Sequence, residues 1–235
     1  MTLRRSLALA FAALAVPVLL AACSSGPAAA TLPPIPSAAP ATPTPAPTHP
    51  GPTYPPGCPT AQPAALGAGQ TRTVTIATDK GDIVIKITAD LAPIATGNFV
   101  ALAGCGYYDG VIFHRVVPGF VIQGGDGQFG RMPDVYPDLV GSGGPPYTIQ
   151  DDPVTAKYHR GIVAMARTSE PNSAGSQFFI VLDDAAVPAL SQANTYQIMG
   201  EVTSGMEAVD AIAAAADKEN PTNPVVMTKV TVATP

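Results

Sequence analysis

Phe113-His114-Arg115-Val116-Val117-Pro118-Gly119-Phe120-Val121-Ile122-Gln123-Gly124-Gly125-Asp126 is the stretch on which the reading of this chain turns. Its apolar runs predict short strands over 111–116 and 119–123. If the first is extended, Phe113 and Arg115 share one face and His114 points to the other. Phe120 would add apolar surface, and Gln123 could reach the same concavity. A second run, Gly175-Ser176-Gln177-Phe178-Phe179-Ile180, places Gln177 and Phe179 on one face of its own strand. A fixed cation, two amides and a phenyl-lined hollow suit a neutral, partly apolar ligand with a polarisable carbonyl. Core packing accounts equally well for each Phe taken alone.

The flanking sequence predicts more strands. Thr73–Thr78 and Ile83–Ile87 alternate apolar with polar residues around Asp79-Lys80-Gly81-Asp82, the pattern of a hairpin. Further strands are expected at 162–166, 177–182, 196–202 and 225–232. Pro93 opens a helix that Gly104 closes, and a second helix is expected from Met206 to Ala215. Many short strands with few helices predict an all-β-dominated fold, an eight-stranded closed antiparallel barrel capped by two helices. No internal repeat is visible.

Composition divides the 235 residues. Fourteen of the 27 prolines fall between Ser24 and Gly69, a stretch without Asp, Glu, Lys or Arg. It has too little apolar bulk to offset ordering entropy, so a disordered Pro/Ala/Thr-rich tether is expected over 23–69. From Gln70 onward ten basic residues stand against seventeen acidic ones, a balance of −7. That argues against nucleic acid as a partner. A domain over 70–235 can close one core, not two. Ahead of the tether, Arg4 and Arg5 precede an apolar run from Leu7 to Ala22, the pattern of a secretory signal peptide over 1–22. Its end, Leu20-Ala21-Ala22-Cys23, resembles the lipobox of bacterial lipoproteins. That resemblance implies lipidation of Cys23 and an extracytoplasmic protein held on the bacterial cell membrane by acyl chains. An ordinary signal peptide is the alternative. Two cysteines then remain, Cys58 and Cys105. Outside the cytoplasm they can pair and pin the tether to the domain, or stay independent thiols with Cys105 buried.

Other patterns carry less. Gly125-Asp126-Gly127-Gln128-Phe129-Gly130 has the spacing of a dinucleotide loop, but Pro133 and Pro137 follow and no helix is expected to start there. His114 and His159 lack companions at metal-ligand spacing. Asp151 and Asp152 read as a solvated loop. No Gly-x-Ser-x-Gly elbow is present.

The Phe-His-Arg…Pro-Gly-Phe…Gln-Gly-Gly-Asp run and Ser176-Gln177-Phe178-Phe179 resemble the two signatures of the cyclophilin family of peptidyl-prolyl cis/trans isomerases. The likeness extends from about Thr71 to Val232, and Met165-Ala166-Arg167-Thr168 resembles the bacterial branch. The resemblance implies an isomerase domain over 70–235 with no cofactor and no metal, monomeric, acting on proline-containing segments. It implies a catalytic Arg115 supported by Gln123, and a proline pocket of Phe120, Val121 and Phe179. Ala166, Arg167 and Gln177 match the groove for the peptide backbone, and Leu190 and Tyr196 the pocket's far wall. Ala189 stands where eukaryotic members carry tryptophan, which implies at most weak binding of cyclosporin-like macrocycles. The rival reading is a proline-peptide binding module or holdase with little turnover.

Overall fold

In a computed structural model the described residues are 54–234. The expected signal peptide, Cys23 and most of the expected tether lie outside them. The elements are β1 (Thr71–Thr78), β2 (Gly81–Thr88), α1 (Pro93–Gly104), β3 (Val111–Ile112), β4 (Arg115–Val117), β5 (Val121–Gly124) and β6 (Ile162–Met165). Then follow β7 (Phe178–Val181), α2 (Val187–Ala193), β8 (Ile198–Ser204), α3 (Met206–Ala215), β9 (Val226–Met227) and β10 (Lys229–Ala233). Gly81, at φ +118°, turns β1 into β2, a conformation that side chains rarely adopt.

Eight strands form one antiparallel sheet in the order β10-β1-β2-β8-β6-β7-β5-β4. Strand alternation gives it two apolar faces. One packs Val74, Ile76, Ile85, Ile122, Phe178 and Ile180 against Phe99 and Leu102 of α1 and Val209 and Ile212 of α3. Phe99 meets Phe178 edge-on at 5.2 Å. The other face gathers Val121, Ala164, Phe179, Val181, Leu190 and Ile198 into a second cluster. The central strands β6 and β7 are therefore buried on both faces.

Expectations for the sheet, for the helices and for Asp152 need correction. The sheet curls but does not close: β4 and β10 are its two ends and do not pair. The expected strand over 111–116 breaks at Phe113 and His114, which are both buried. Its first half, β3, leaves the sheet to pair with β9. A returning loop satisfies the edge instead, with Phe113 N–H donating to Val225 O at 2.9 Å and Val116 N–H to Glu219 O at 2.7 Å. Secondly, the described residues hold three α-helices rather than two. The additional one, α2, opens with Pro188 in its first turn and carries the buried Leu190. Thirdly, Asp152 is buried rather than solvated. Its Oδ2 accepts the Ala95 N–H at 2.9 Å at the start of α1, satisfying one of the donors that a helix N-terminus leaves unpaired. Burial raises its pKa against that hydrogen bond.

The segment 54–69, assigned above to the tether, packs on the domain from Tyr54 onward. Cys58 is bonded to Cys105, with Cα atoms 5.2 Å apart. The Tyr54 ring lies 5.6 Å from that of Tyr107, and Leu66 N–H donates to Pro93 O at 2.9 Å. Closing a loop across a separation of 47 residues contributes about 4 kcal/mol in the chain-entropy account.

Gly97 of α1 lets this segment approach, since a Cβ there would collide with the Ala64 carbonyl oxygen and stand 2.8 Å from Leu66 N. In a helix interior Gly→Ala ordinarily stabilises by about 1 kcal/mol. Gly97→Ala is expected to do the reverse, costing about 1–3 kcal/mol through overpacking. Urea unfolding measures it, and a variant as stable as the parent would refute the close approach.

His114 is 6% exposed, and neither ring nitrogen has a hydrogen-bond partner among the described residues. Burial lowers its pKa below the ordinary 6.5, with the Asp126 carboxylate opposing the shift and the Arg115 guanidinium reinforcing it. Between the lowered folded value and 6.5, the unfolded chain binds a proton that the folded chain does not. Stability present above pH 6.5 is thus lost as pH falls below it. The urea midpoint is expected to fall between about pH 7.5 and 5.5. His114→Gln should flatten that slope, and an unchanged slope would remove His114 as its source.

Candidate active site

The register of three ladders builds the site. Arg115 on β4 stands opposite Gln123 on β5. Gln123 stands opposite Phe179 on β7, and Phe179 opposite Ala164 on β6. Residues paired across strands share a face, so cation, amide and ring form one row on the sheet's second apolar face. Two residues from Gln123, Val121 shares that face, while Ile122 between them turns into the main core.

A cavity of about 230 Å³ opens over this row, lined by Arg115, Phe120, Val121, Gln123, Ala166, Arg167, Phe179, Leu190 and Tyr196. It is smaller than the roughly 300–1,000 Å³ of drug-sized ligand sites, a volume suited to one small ring. Phe179 and Val121 are buried beneath it, and the Tyr196 ring meets Phe179 edge-on at 5.3 Å. The structure thus brings nine of the ten expected site residues to one hollow. The tenth, Gln177, lines an adjoining cavity of about 520 Å³ that also includes Gln123, Ala166 and Arg167. The two cavities form a groove along the ends of β5 and β6.

Hydrogen bonds hold the polar side chains in a directed chain. Arg115 Nη1 donates to Gln123 Oε1 at 3.4 Å. Gln123 Nε2 donates to Gln177 Oε1 at 3.0 Å. Gln177 Nε2 donates to the carbonyls of Gly141 and Gly143, both at 2.9 Å. The N–H groups of the same two glycines donate to Asp126 Oδ2 at 2.7 and 2.9 Å. Asp126 is fully buried, and its Oδ1 takes the N–H groups of Gln128 and Phe129. The Gly-x-Gly-x-x-Gly stretch accordingly ties two loops together through Asp126.

Two expected placements change. Phe113 does not share the face of Arg115: it packs in the main core against Phe178 at 6.4 Å, because the chain rotates between β3 and β4. Gln177 precedes β7 rather than lying on it, and reaches the site through its amide contacts. Arg167 lines both cavities, but its guanidinium is engaged elsewhere, with Nη1 on Asp151 at 2.8 Å and Nη2 on Glu170 O at 2.7 Å. Asp151 also accepts the Gln197 amide at 2.9 Å and the Asn172 N–H at 2.8 Å, so it anchors the groove wall instead of a solvated loop. Arg167 therefore offers the groove its backbone and stem more than its charge.

The sequence reading missed Asp126, Asp151 and Glu219. Glu219 Oε1 accepts from Arg115 Nε at 2.7 Å across 104 positions of sequence. No local pattern marks a contact of that span. Among the described residues no group of three or more His, Cys, Asp or Glu side chains could hold a metal ion, and no helix is long and apolar enough to cross a membrane.

Comparison with known proteins follows the same pattern. The family model for cyclophilin type peptidyl-prolyl cis-trans isomerase/CLD matches residues 73–232. A probable peptidyl-prolyl cis-trans isomerase of Brucella abortus is 41% identical over 162 residues, covering 68% of this chain and 81% of its own. Peptidyl-prolyl cis-trans isomerase A of Dickeya dadantii is 38% identical over 154 residues, covering 65% of this chain and 77% of its own. Among solved structures, a cyclophilin type peptidyl-prolyl cis-trans isomerase of Cryptosporidium parvum superposes with a TM-score of 0.58 at 31% identity, covering 70% of this chain and 99% of its own. A second crystal structure of that protein, in the presence of the dipeptide Ala-Pro, gives the same TM-score at 32% identity. On family match and fold together, this chain belongs to the cyclophilin-type peptidyl-prolyl cis-trans isomerases, a family of isomerase enzymes.

Proposed function

We propose that this chain rotates X–Pro bonds of exported polypeptides at the outer face of a bacterial membrane, and that Arg115 supplies the catalysis. The observation that carries this reading is the row of Arg115, Gln123 and Phe179 beneath a cavity sized for one ring. A prolyl ring sits against Phe120, Val121 and Phe179, with Leu190 and Tyr196 behind it. The residues on either side lie along the groove by Ala166 and Gln177.

Rotation meets a barrier of about 18–20 kcal/mol because amide resonance must be broken. In the twisted transition state the imide nitrogen regains a lone pair that neither planar ground state has. A guanidinium donor aimed at that nitrogen binds the transition state more strongly than the substrate, and only such a differential accelerates a reaction. Arginine stays charged at any working pH. The apolar floor lowers the local dielectric and strengthens its hydrogen bond. The step needs no nucleophile and no proton transfer. The chain has no tryptophan, so the groove offers a cyclosporin-like macrocycle no indole donor, and binding of that class is weak.

The address comes from the other end of the chain. Cys23, directly after Leu20-Ala21-Ala22, carries the acyl anchor in this reading. The Pro-rich segment after it spaces the domain from the membrane, where exported chains fold slowly around proline isomers. The likeness of Met165-Ala166-Arg167-Thr168 to the bacterial branch supports the same setting.

Arg115→Ala is expected to lower turnover of a proline tetrapeptide by about 10²–10³, equal to roughly 3–4 kcal/mol of barrier, with far-UV circular dichroism unchanged. NMR exchange or a protease-coupled assay measures it. Unchanged turnover would disprove the role of Arg115. Negligible turnover in the parent chain alongside peptide binding would instead make this a holdase. For the anchor, Cys23→Ala is expected to move the protein from the membrane fraction to the soluble export fraction. Retention on the membrane would end the lipoprotein reading.

A further inference from the structure

We propose that Glu219 is a positioning residue for Arg115, fixing which of its guanidinium hydrogens face the pocket. The inference rests on the role given to Arg115 above. Three observations carry it. Glu219 Oε1 takes the Nε–H of Arg115 at 2.7 Å, while Gln123 Oε1 takes Nη1 at 3.4 Å from the adjacent strand. Among the described residues Nη2 has no partner, so two of the three guanidinium nitrogens are held and the third is left to donate. Arginine's nitrogens form a rigid planar fork. Fixing two of them therefore sets the direction of the third.

The carboxylate is delivered by a braced loop. The Glu219 carbonyl accepts the Val116 N–H at 2.7 Å, which ties the loop backbone to β4 one residue after Arg115. Two residues before Glu219, the Asp217 carboxylate closes the loop on Thr222, accepting its N–H at 2.9 Å and its hydroxyl at 2.7 Å. Glu219 thus reaches Arg115 from a backbone pinned on both sides.

Stability does not account for the pair. The two side chains are 36% and 58% exposed, and pairs so exposed contribute little to folding. Orientation is different. Arg115 sits on an edge strand, and its long side chain would otherwise sample many rotamers in and out of the cavity. A guanidinium already aimed at the imide nitrogen needs no reordering as the bond twists, which is how preorganised donors accelerate a reaction.

The experiment uses the full chain and a proline tetrapeptide, with Arg115→Ala, Glu219→Ala, Glu219→Gln and the double variant Arg115→Ala/Glu219→Ala. Glu219→Ala is expected to lower kcat/KM about three- to tenfold, mostly in kcat, because alignment rather than affinity is lost. Glu219→Gln keeps an acceptor for Nε–H and should recover part of that loss. On the Arg115→Ala background, removing Glu219 should cost nothing further. The Arg115 Nε–H resonance should shift in Glu219→Ala, which a purely structural effect elsewhere would not produce. If Arg115→Ala is inactive while Glu219→Ala stays within about twofold of the parent, or exceeds it, the positioning role is refuted. An equal loss on both backgrounds, or an unmoved Nε–H resonance, refutes it as well. If Arg115→Ala keeps full turnover, the reading of Arg115 itself fails, and this inference falls with it.

Discussion

Pairing register is the constraint from which the site follows. Arg115, Gln123, Phe179 and Ala164 stand in one row across β4, β5, β7 and β6. Side chains alternate along a strand, so a slip of one residue in any of these ladders would send its member of the row into the main core. The slip is resisted from the other face, where Ile122, Phe178 and Ile180 are buried against α1 and α3. The same packing that stabilises the domain therefore fixes the positions of cation, amide and phenyl ring.

Around that row the chain spends irregular structure on orientation. The two amides and two glycine carbonyls that lead back from Arg115 end on Asp126, a buried carboxylate satisfied by four backbone N–H groups. A buried charge is tolerable when it is fully hydrogen-bonded. On the opposite side, the loop 217–225 covers the open edge of β4 and brings a carboxylate to the arginine. Edge strands need such cover to avoid pairing with other chains. Here the cover also contributes Glu219.

Much of this was legible in the sequence. The hairpin over 71–88 follows from alternation around a glycine turn and α1 from its proline start and glycine end, and the helix expected over 206–215 is α3. The two signature runs supply five of the nine residues that line the cavity, Arg115, Phe120, Val121, Gln123 and Phe179. What misled was locality. A strand over 111–116 looks continuous by propensity, yet its first half pairs with β9 and its second half with β5, so it breaks at Phe113 and His114. Val187–Ala193, a short helix with Pro188 in its first turn and Asn194 as its left-handed C-cap, was not among the expected elements. Tyr54–Gly69 has the composition of a tether, but a disulfide and contacts with α1 hold it to the domain.

The sequence alone determined which residue types the chemistry could use and the strands that present them, because propensity, alternation and motif spacing are properties of neighbours along the chain. Tertiary structure decided how the sheet ends, with a two-stranded ribbon and a loop between its edges. It also decided which carboxylate meets Arg115, and that Arg167 spends its charge on Asp151. These are contacts between segments 16 to 104 positions apart. A residue's own neighbours do not encode such contacts, since they depend on where two distant pieces of backbone come to rest after the core has packed.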